Sequence, residues 1–87
     1  MNKKDIKLIQ AEVANLDKSI KNMNARFNEL ADRRDAGKIT AEHAQARLDD
    51  YDHKIYALDC QRANTIHIGE LLGISYHDLL SVSYSEK

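Results

Sequence analysis

The stretch IKLIQAEVANLDKSIKNMNARFNEL, residues 6–30, decides the fold. Its apolar residues follow one another at alternating spacings of three and four, which is an unbroken heptad pattern. On an α-helix this spacing places every member on one narrow stripe. We therefore expect a helix over residues 2–34 with a single apolar seam. The residues of that seam are Ile6, Ile9, Val13, Leu16, Ile20, Met23, Phe27 and Leu30.

The hexapeptide DAGKIT, residues 35–40, ends this helix and prepares the next one. Gly37 can adopt the left-handed backbone conformation that closes a helix, which other residues adopt only at a cost. Thr40 is a typical N-cap, and Glu42 lies in the first turn, where the helix dipole is positive. A connection this short makes the second helix run back antiparallel to the first. The sequence predicts a turn over residues 35–40 and a helix over residues 41–72.

The second helix supplies the other side of the seam for about half its length. Folding the hairpin places Phe27 near Leu48, and Val13 near Arg62. The heptad pattern fails at this point, because Arg62 and Thr65 hold the next two seam positions. The open end of the hairpin is therefore predicted to be under-packed. The seam residues of the second helix are Ala41, Ala44, Leu48, Tyr51, Ile55 and Leu58, of which the last four are the larger ones.

The C-terminal segment predicts a third, short helix over residues 75–83. Gly73 can close the second helix, and Ser75 is a candidate N-cap with Asp78 three residues on. The segment carries more apolar residues than a short terminal helix needs. We expect it either to fold over the open end of the hairpin or to form an interface. The candidate partner surface comprises Ile66, Ile68, Leu71, Leu72, Ile74, Tyr76, Leu79, Leu80 and Val82.

Composition agrees with one all-α domain, residues 1–87, in a coiled-coil-like hairpin. Residues 1–34 hold eight Lys and Arg against five Asp and Glu, whereas residues 35–87 hold five against nine. A basic helix beside an acidic one is electrostatically compatible, although individual surface pairs contribute little. The single Cys60 cannot form an internal disulfide, and no apolar run is long enough to cross a bilayer. We expect a soluble, cytoplasmic protein.

The sequence contains no recognisable arrangement of catalytic or metal-binding residues. It has no Gly-rich phosphate loop, nucleophile elbow or zinc-protease motif. Its four histidines are separated by 10, 14 and 10 residues, which does not place them on one helical face. Cys60 and His67 share a face, but two ligands do not make a zinc site. We expect no enzyme activity, cofactor, metal or small-molecule ligand. The histidines are His43, His53, His67 and His77.

The hairpin turn resembles a known motif. The segment LADRRDAGKITAEHAQARL, residues 30–48, is similar to the short helical motif called SHOCT, in which two helices flank a Gly-Ile-Thr-type turn. That family is associated with oligomerisation, so the resemblance implies self-association. The matching residues are Asp35, Gly37, Ile39, Thr40 and Glu42.

The segment IHIGELLGISYHDLLSV, residues 66–82, resembles a helix-turn-helix unit, which would imply nucleic-acid binding. The apolar positions of such a unit are held by Ile68, Leu72, Ile74, Leu79 and Val82, with Gly73 in the turn. The helix that would read the bases contains neither Lys nor Arg. Because phosphate contacts require cations, a surface for binding protein is favoured over one for binding nucleic acid.

These features predict a protein that acts by binding. A small helical regulator or inhibitor, which self-associates or docks on a larger protein, fits the plain hairpin best. The first helix has β-branched residues at one heptad position and mostly Leu-like residues at the other, an arrangement that favours two strands in parallel dimers. We therefore expect a homodimer. Phage or mobile-element proteins that block a host nuclease or defence complex have this character. The alternative is a small transcriptional regulator that binds nucleic acid through its C-terminal segment.

A charge placed in the seam tests the heptad prediction. Leu16→Asp should unfold the hairpin or dissociate it, because a carboxylate in the seam adds a desolvation cost to the about 2–5 kcal/mol typical of truncating a buried leucine. Circular dichroism during thermal unfolding measures the effect. Unchanged helicity and an unchanged midpoint would show that Leu16 does not lie in the seam.

Overall fold

The computed structural model describes the backbone of residues 3–85 and the side chains of residues 3–80. Within that part of the chain there are three helices and no strand: α1 (Lys3–Asp35), α2 (Ala41–Leu71) and α3 (Tyr76–Ser85). α1 and α2 form a long antiparallel hairpin, and α3 packs across its open end, mainly against α1. The molecule extends 53 Å along its longest axis. The predicted all-α hairpin with a short C-terminal helix is confirmed.

The helix ends differ from the predicted ones by one or two residues. α1 continues through Asp35, and α2 ends at Leu71 with Leu72 as its C-cap. α3 begins one residue later than predicted, because Ser75 is its N-cap, and it runs to Ser85 with no Gly or Pro to stop it. Such differences are ordinary, since a cap residue is only half inside its helix. Residue 2, at which the predicted first helix begins, lies outside the described residues.

Both predicted glycine caps are confirmed. Gly37 has φ 74° and Gly73 has φ 91°, the left-handed region that favours glycine. After α2, the Ile74 amide donates to the Gly69 carbonyl at 3.0 Å and the Gly73 amide donates to the Glu70 carbonyl at 3.0 Å. This pair of hydrogen bonds is a Schellman motif, which satisfies carbonyls that the helix leaves without partners. The end of α1 at Gly37 has the same two-bond pattern.

Both predicted N-caps that lie in the described residues are also confirmed. The Thr40 hydroxyl accepts a hydrogen bond from the His43 amide at 3.2 Å, at the start of α2. The Ser75 hydroxyl accepts one from the Asp78 amide at 3.2 Å, at the start of α3. Local sequence therefore sets both reversals of the chain, independently of long-range packing.

The buried residues form two separate clusters at opposite ends of the hairpin. The turn cluster comprises Leu30, Ala44 and Leu48, with Phe27, Ala31, Ile39 and Tyr51 packed against it. The open-end cluster comprises Val13, Ile66, Ile74, Leu79 and Leu80, with Ile6 and Ile9 packed against it. The predicted proximity of Phe27 to Leu48 is confirmed by the turn cluster. α3 supplies the open end with the apolar residues that α2 lacks there.

The Leu79 side chain of α3 lies directly against Gly69 of α2. A β-carbon at Gly69 would stand 2.6 Å from Leu79 Cδ2 and 3.4 Å from Ile9 Cγ2, and Leu79 is fully buried. A larger residue at position 69 would therefore have to displace the Leu79 side chain, although the backbone of Gly69 is ordinary helix. A hydrogen bond from Gln10 Nε2 to the Asp78 carbonyl at 2.6 Å also ties α1 to α3.

A large side chain at Gly69 should displace α3. We expect Gly69→Leu to lower the free energy of unfolding by about 2–3 kcal/mol, because overpacking at Leu79 outweighs the roughly 1 kcal/mol gained in helix propensity. Chemical denaturation followed by circular dichroism measures the change. The matched control is Ala63→Leu, at an exposed position of α2, which should change stability by less than about 0.5 kcal/mol. Equal effects of the two variants would contradict the close approach of α3 to α2.

Candidate docking surface

The structure divides the nine residues of the candidate partner surface into two groups. Four of them form most of the open-end cluster and are buried, so they stabilise the fold and offer nothing to a partner: Ile66, Ile74, Leu79 and Leu80. The Val82 side chain lies outside the described residues. The sequence left open whether this segment folds over the open end of the hairpin or forms an interface. For these four buried residues, the structure shows that the segment folds over the hairpin.

The other four residues are exposed at the same end of the molecule. The exposed fractions are 53% for Ile68, 72% for Leu71, 50% for Leu72 and 53% for Tyr76. Ile68 and Leu72 are four residues apart, with Leu71 between them, so the three share one face at the end of α2. Tyr76 is the first residue of α3, directly after the turn. We call these four residues the apolar end patch.

The backbone that carries the patch is fixed on both sides. The Schellman motif at Gly73 holds the end of α2, and the Ser75 cap holds the start of α3. Between them, Ile74 is buried in the open-end cluster and anchors the turn to the core. The patch is thus presented by ordered structure, which lowers the entropy lost when a partner binds.

Arg62 supports the patch from the seam. It occupies a seam position, as the heptad register predicts, and forms an ion pair with Asp17 on α1. The two side chains are only 27% and 31% exposed. Burial lowers the pKa of Arg62, but the hydrogen bond and charge of Asp17 and the contact with Tyr76 outweigh it, so the net pKa is raised. The charged Arg62 therefore links α1, α2 and the tyrosine of the patch.

The middle of the seam is less well covered than its ends. Val13, Leu16, Leu30 and Leu48 are buried, and these residues lie in or next to the two clusters. Between the clusters, the seam residues are only half-buried, because no third element reaches them. Those residues are Ile20, Met23, Ile55 and Leu58.

Several contributors were missed by the sequence argument. Ala14 is buried although it lies outside the heptad stripe, on the side of α1 that faces away from a simple two-helix seam. The sequence assigned no packing role to Gly69, because that role depends on Leu79, ten positions away. Leu8 and Tyr56 are exposed by 61% and 72% and were not assigned to any surface. Each of these two residues is isolated among polar residues on its face of the helix, and this isolation is the sequence signal that could have identified it as exposed.

Other sequence expectations can be placed in the structure. Glu29 and Arg33, whose spacing of four residues puts them on one face of α1, form an exposed ion pair at 2.8 Å. Among the described residues, no three His, Cys, Asp or Glu side chains come together to hold a metal ion. Across the same residues, no helix combines the length and apolarity needed to cross a membrane.

No protein-family model, curated protein or solved structure matches this chain. The similarities of the hairpin turn to SHOCT and of the C-terminal segment to a helix-turn-helix unit therefore stay predictions.

The Asp17–Arg62 pair should stabilise the open end more than a surface pair does. We expect Asp17→Asn to cost about 1–2 kcal/mol, because the pair lies between the exposed and fully buried cases. Glu29→Gln, which breaks the exposed pair with Arg33, should cost only about 0.3–0.5 kcal/mol. Urea denaturation at low and high salt measures both, and the Asp17 effect should be the less sensitive to salt. If both substitutions cost the same free energy of unfolding, and high salt abolishes both effects, then Arg62 is an ordinary surface cation.

Proposed function

We propose that this chain is a non-enzymatic protein–protein interaction module, a small helical regulator that docks on a larger protein through the apolar end patch. One observation carries the proposal. In a segment where Ile74, Leu79 and Leu80 are buried, four other large apolar side chains, those of the patch, stay half or more exposed around the turn between α2 and α3.

The patch has the energetic character of a binding surface. Fully burying a large aliphatic side chain contributes about 1.5–3 kcal/mol, so a partner that covered the patch would gain substantially. Part of that gain is offset by the loss of translational and rotational freedom on binding. Several exposed large apolar residues grouped at one end of a molecule are typical of interaction sites, whereas single exposed leucines are ordinary.

The surroundings of the patch favour a protein partner over nucleic acid. Glu70 and Asp78 lie close to the patch in sequence, while Lys3, Lys4 and Lys7 lie on α1 at the same end of the hairpin. An apolar centre with a rim of both charges is the usual anatomy of a protein interface. α3 offers no Lys or Arg for phosphate contacts.

A chain of this size acts most simply by occupying a surface that its partner needs. We therefore assign it to the regulators or inhibitors, such as a phage or mobile-element protein that blocks a host nuclease or defence complex. Its action would need no cofactor and no chemistry. Such a regulator would cover its partner's surface with the end of the hairpin. The exposed residues of the apolar end patch lie there, around a turn that the Gly73 and Ser75 caps hold.

Site-specific photo-crosslinking tests the docking surface. A benzophenone amino acid at Leu71, introduced in the organism that encodes the chain, should crosslink one discrete larger protein. The same amino acid at Tyr56 is the matched control, since both positions are 72% exposed. An excess of wild-type protein should compete the Leu71 product away, and Ile68→Ser with Leu72→Ser should abolish it, because about 2 kcal/mol or more is lost at a central contact.

Three results would contradict the proposal. They are identical products from Leu71 and Tyr56, a product that wild-type protein does not compete, and a product that survives the double serine substitution. Binding to heparin or to duplex DNA that falls steeply with salt would instead support the nucleic-acid alternative.

A further inference from the structure

We propose that a second copy of this chain covers the middle of the seam, so that two hairpins pack into a four-helix arrangement with α1 of each copy beside α2 of the other. The mid-section means residues 17–26 of α1 and residues 52–61 of α2. This inference rests on the proposed interaction role and gives it a specific partner at a second surface, away from the apolar end patch.

The mid-section is the part of the hairpin that its own chain leaves half-covered. Leu30 and Leu48 are buried at the turn, and Val13 and Ile66 are buried at the open end beneath α3. Ile20 of the mid-section is only half-buried, like the other large apolar seam residues of that region. Two helices in contact bury one stripe but leave both flanks of it accessible, and further helices are needed to close a bundle core. The other half-buried seam residues of the mid-section are Met23, Ile55 and Leu58.

The charges of the two helices identify the occupant as another copy. α1 carries eight Lys and Arg against six Asp and Glu, while α2 carries three against six. A hairpin with one basic and one acidic helix is complementary to itself when the helices alternate around a bundle. The whole chain has a net charge of −1, so two copies repel each other little at long range.

The same complementarity holds within the mid-section itself. Exposed Lys21 and Arg26 lie on α1, and exposed Asp52 and Asp59 lie on α2. The mid-section is central in both helices. When two hairpins pack with their centres aligned, their mid-section residues therefore meet whether the two copies are parallel or antiparallel. Opposite charges at the edges of a helical interface set partner choice and alignment.

Light scattering and sedimentation over a wide range of concentrations give the first test. The wild-type chain should be a dimer that dissociates on dilution. A wild-type chain that remains a monomer at every concentration overturns the inference.

Charge exchange gives the decisive test. One variant, Lys21→Glu with Arg26→Glu, makes both mid-sections acidic, and the other, Asp52→Lys with Asp59→Lys, makes α2 basic like α1. Each variant alone should associate at least about tenfold more weakly than the wild type, since like charges then face each other. Mixed together, they should form a heterodimer and regain most of the lost affinity. Circular dichroism verifies that each variant keeps its helices.

A control separates the mid-section from net charge. Lys3→Glu with Lys4→Glu gives the same net charge as the first variant but changes only the start of α1. Mixed with the Asp52→Lys, Asp59→Lys variant, it should form fewer heterodimers than the first variant does, because its unchanged basic α1 mid-section faces a basic α2. Equal restoration by the two acidic variants would overturn the proposed interface.

The outcome is distinguishable from a failure of the docking proposal. The Leu71 crosslink is measured in the monomeric charge variants as well as in the wild type. If it persists while self-association is lost, the apolar end patch and the mid-section are separate surfaces. If wild-type dimers form as expected but the crosslink never appears, the docking proposal fails and the self-association proposal stands.

Discussion

One constraint governs this molecule: the apolar stripe of α1 runs the length of a 33-residue helix, and it must be covered along that whole length. A second helix covers the stripe only where it has apolar residues of its own. α2 does so near the turn, where Leu48 meets Leu30, but it offers Arg62 and Thr65 towards the open end. The remaining features of the fold follow from how the open end is covered.

α3 supplies that cover, and the sequence equips it to do so. Gly73 and Ser75 reverse the chain within a few residues, and Gly69 lets Leu79 approach α2 closely. Arg62 completes the layer through its ion pair with Asp17, so a charged residue is accommodated where the apolar pattern fails. Three residues of the apolar end patch lie at the end of α2 and the fourth, Tyr76, starts α3, so the patch surrounds the turn that brings α3 over the open end.

The hairpin could be predicted from sequence because its signals are local. The heptad spacing and the two capping residues, Gly37 and Thr40, act over a few residues. Both capping residues have the predicted conformation. The division of the C-terminal segment was harder to predict. Nothing in the spacing of Ile66 and Ile68 says which one faces Val13, because that depends on the angle at which α3 crosses the hairpin. The docking role of Gly69 is likewise visible only once Leu79 is placed. The Asp17–Arg62 pair joins residues 45 positions apart, beyond the reach of helix periodicity.

Hydrogen exchange of the α1 amides, measured by nuclear magnetic resonance in the wild type and in Leu79→Asp, tests most directly whether α3 closes the open end. Separate clusters should behave as separate cooperative units. The variant should lose protection over residues 6–14, which lie under α3, while residues 27–35 beside the turn cluster keep theirs. Unchanged protection over residues 6–14 would contradict the account, as would an equal loss along the whole of α1.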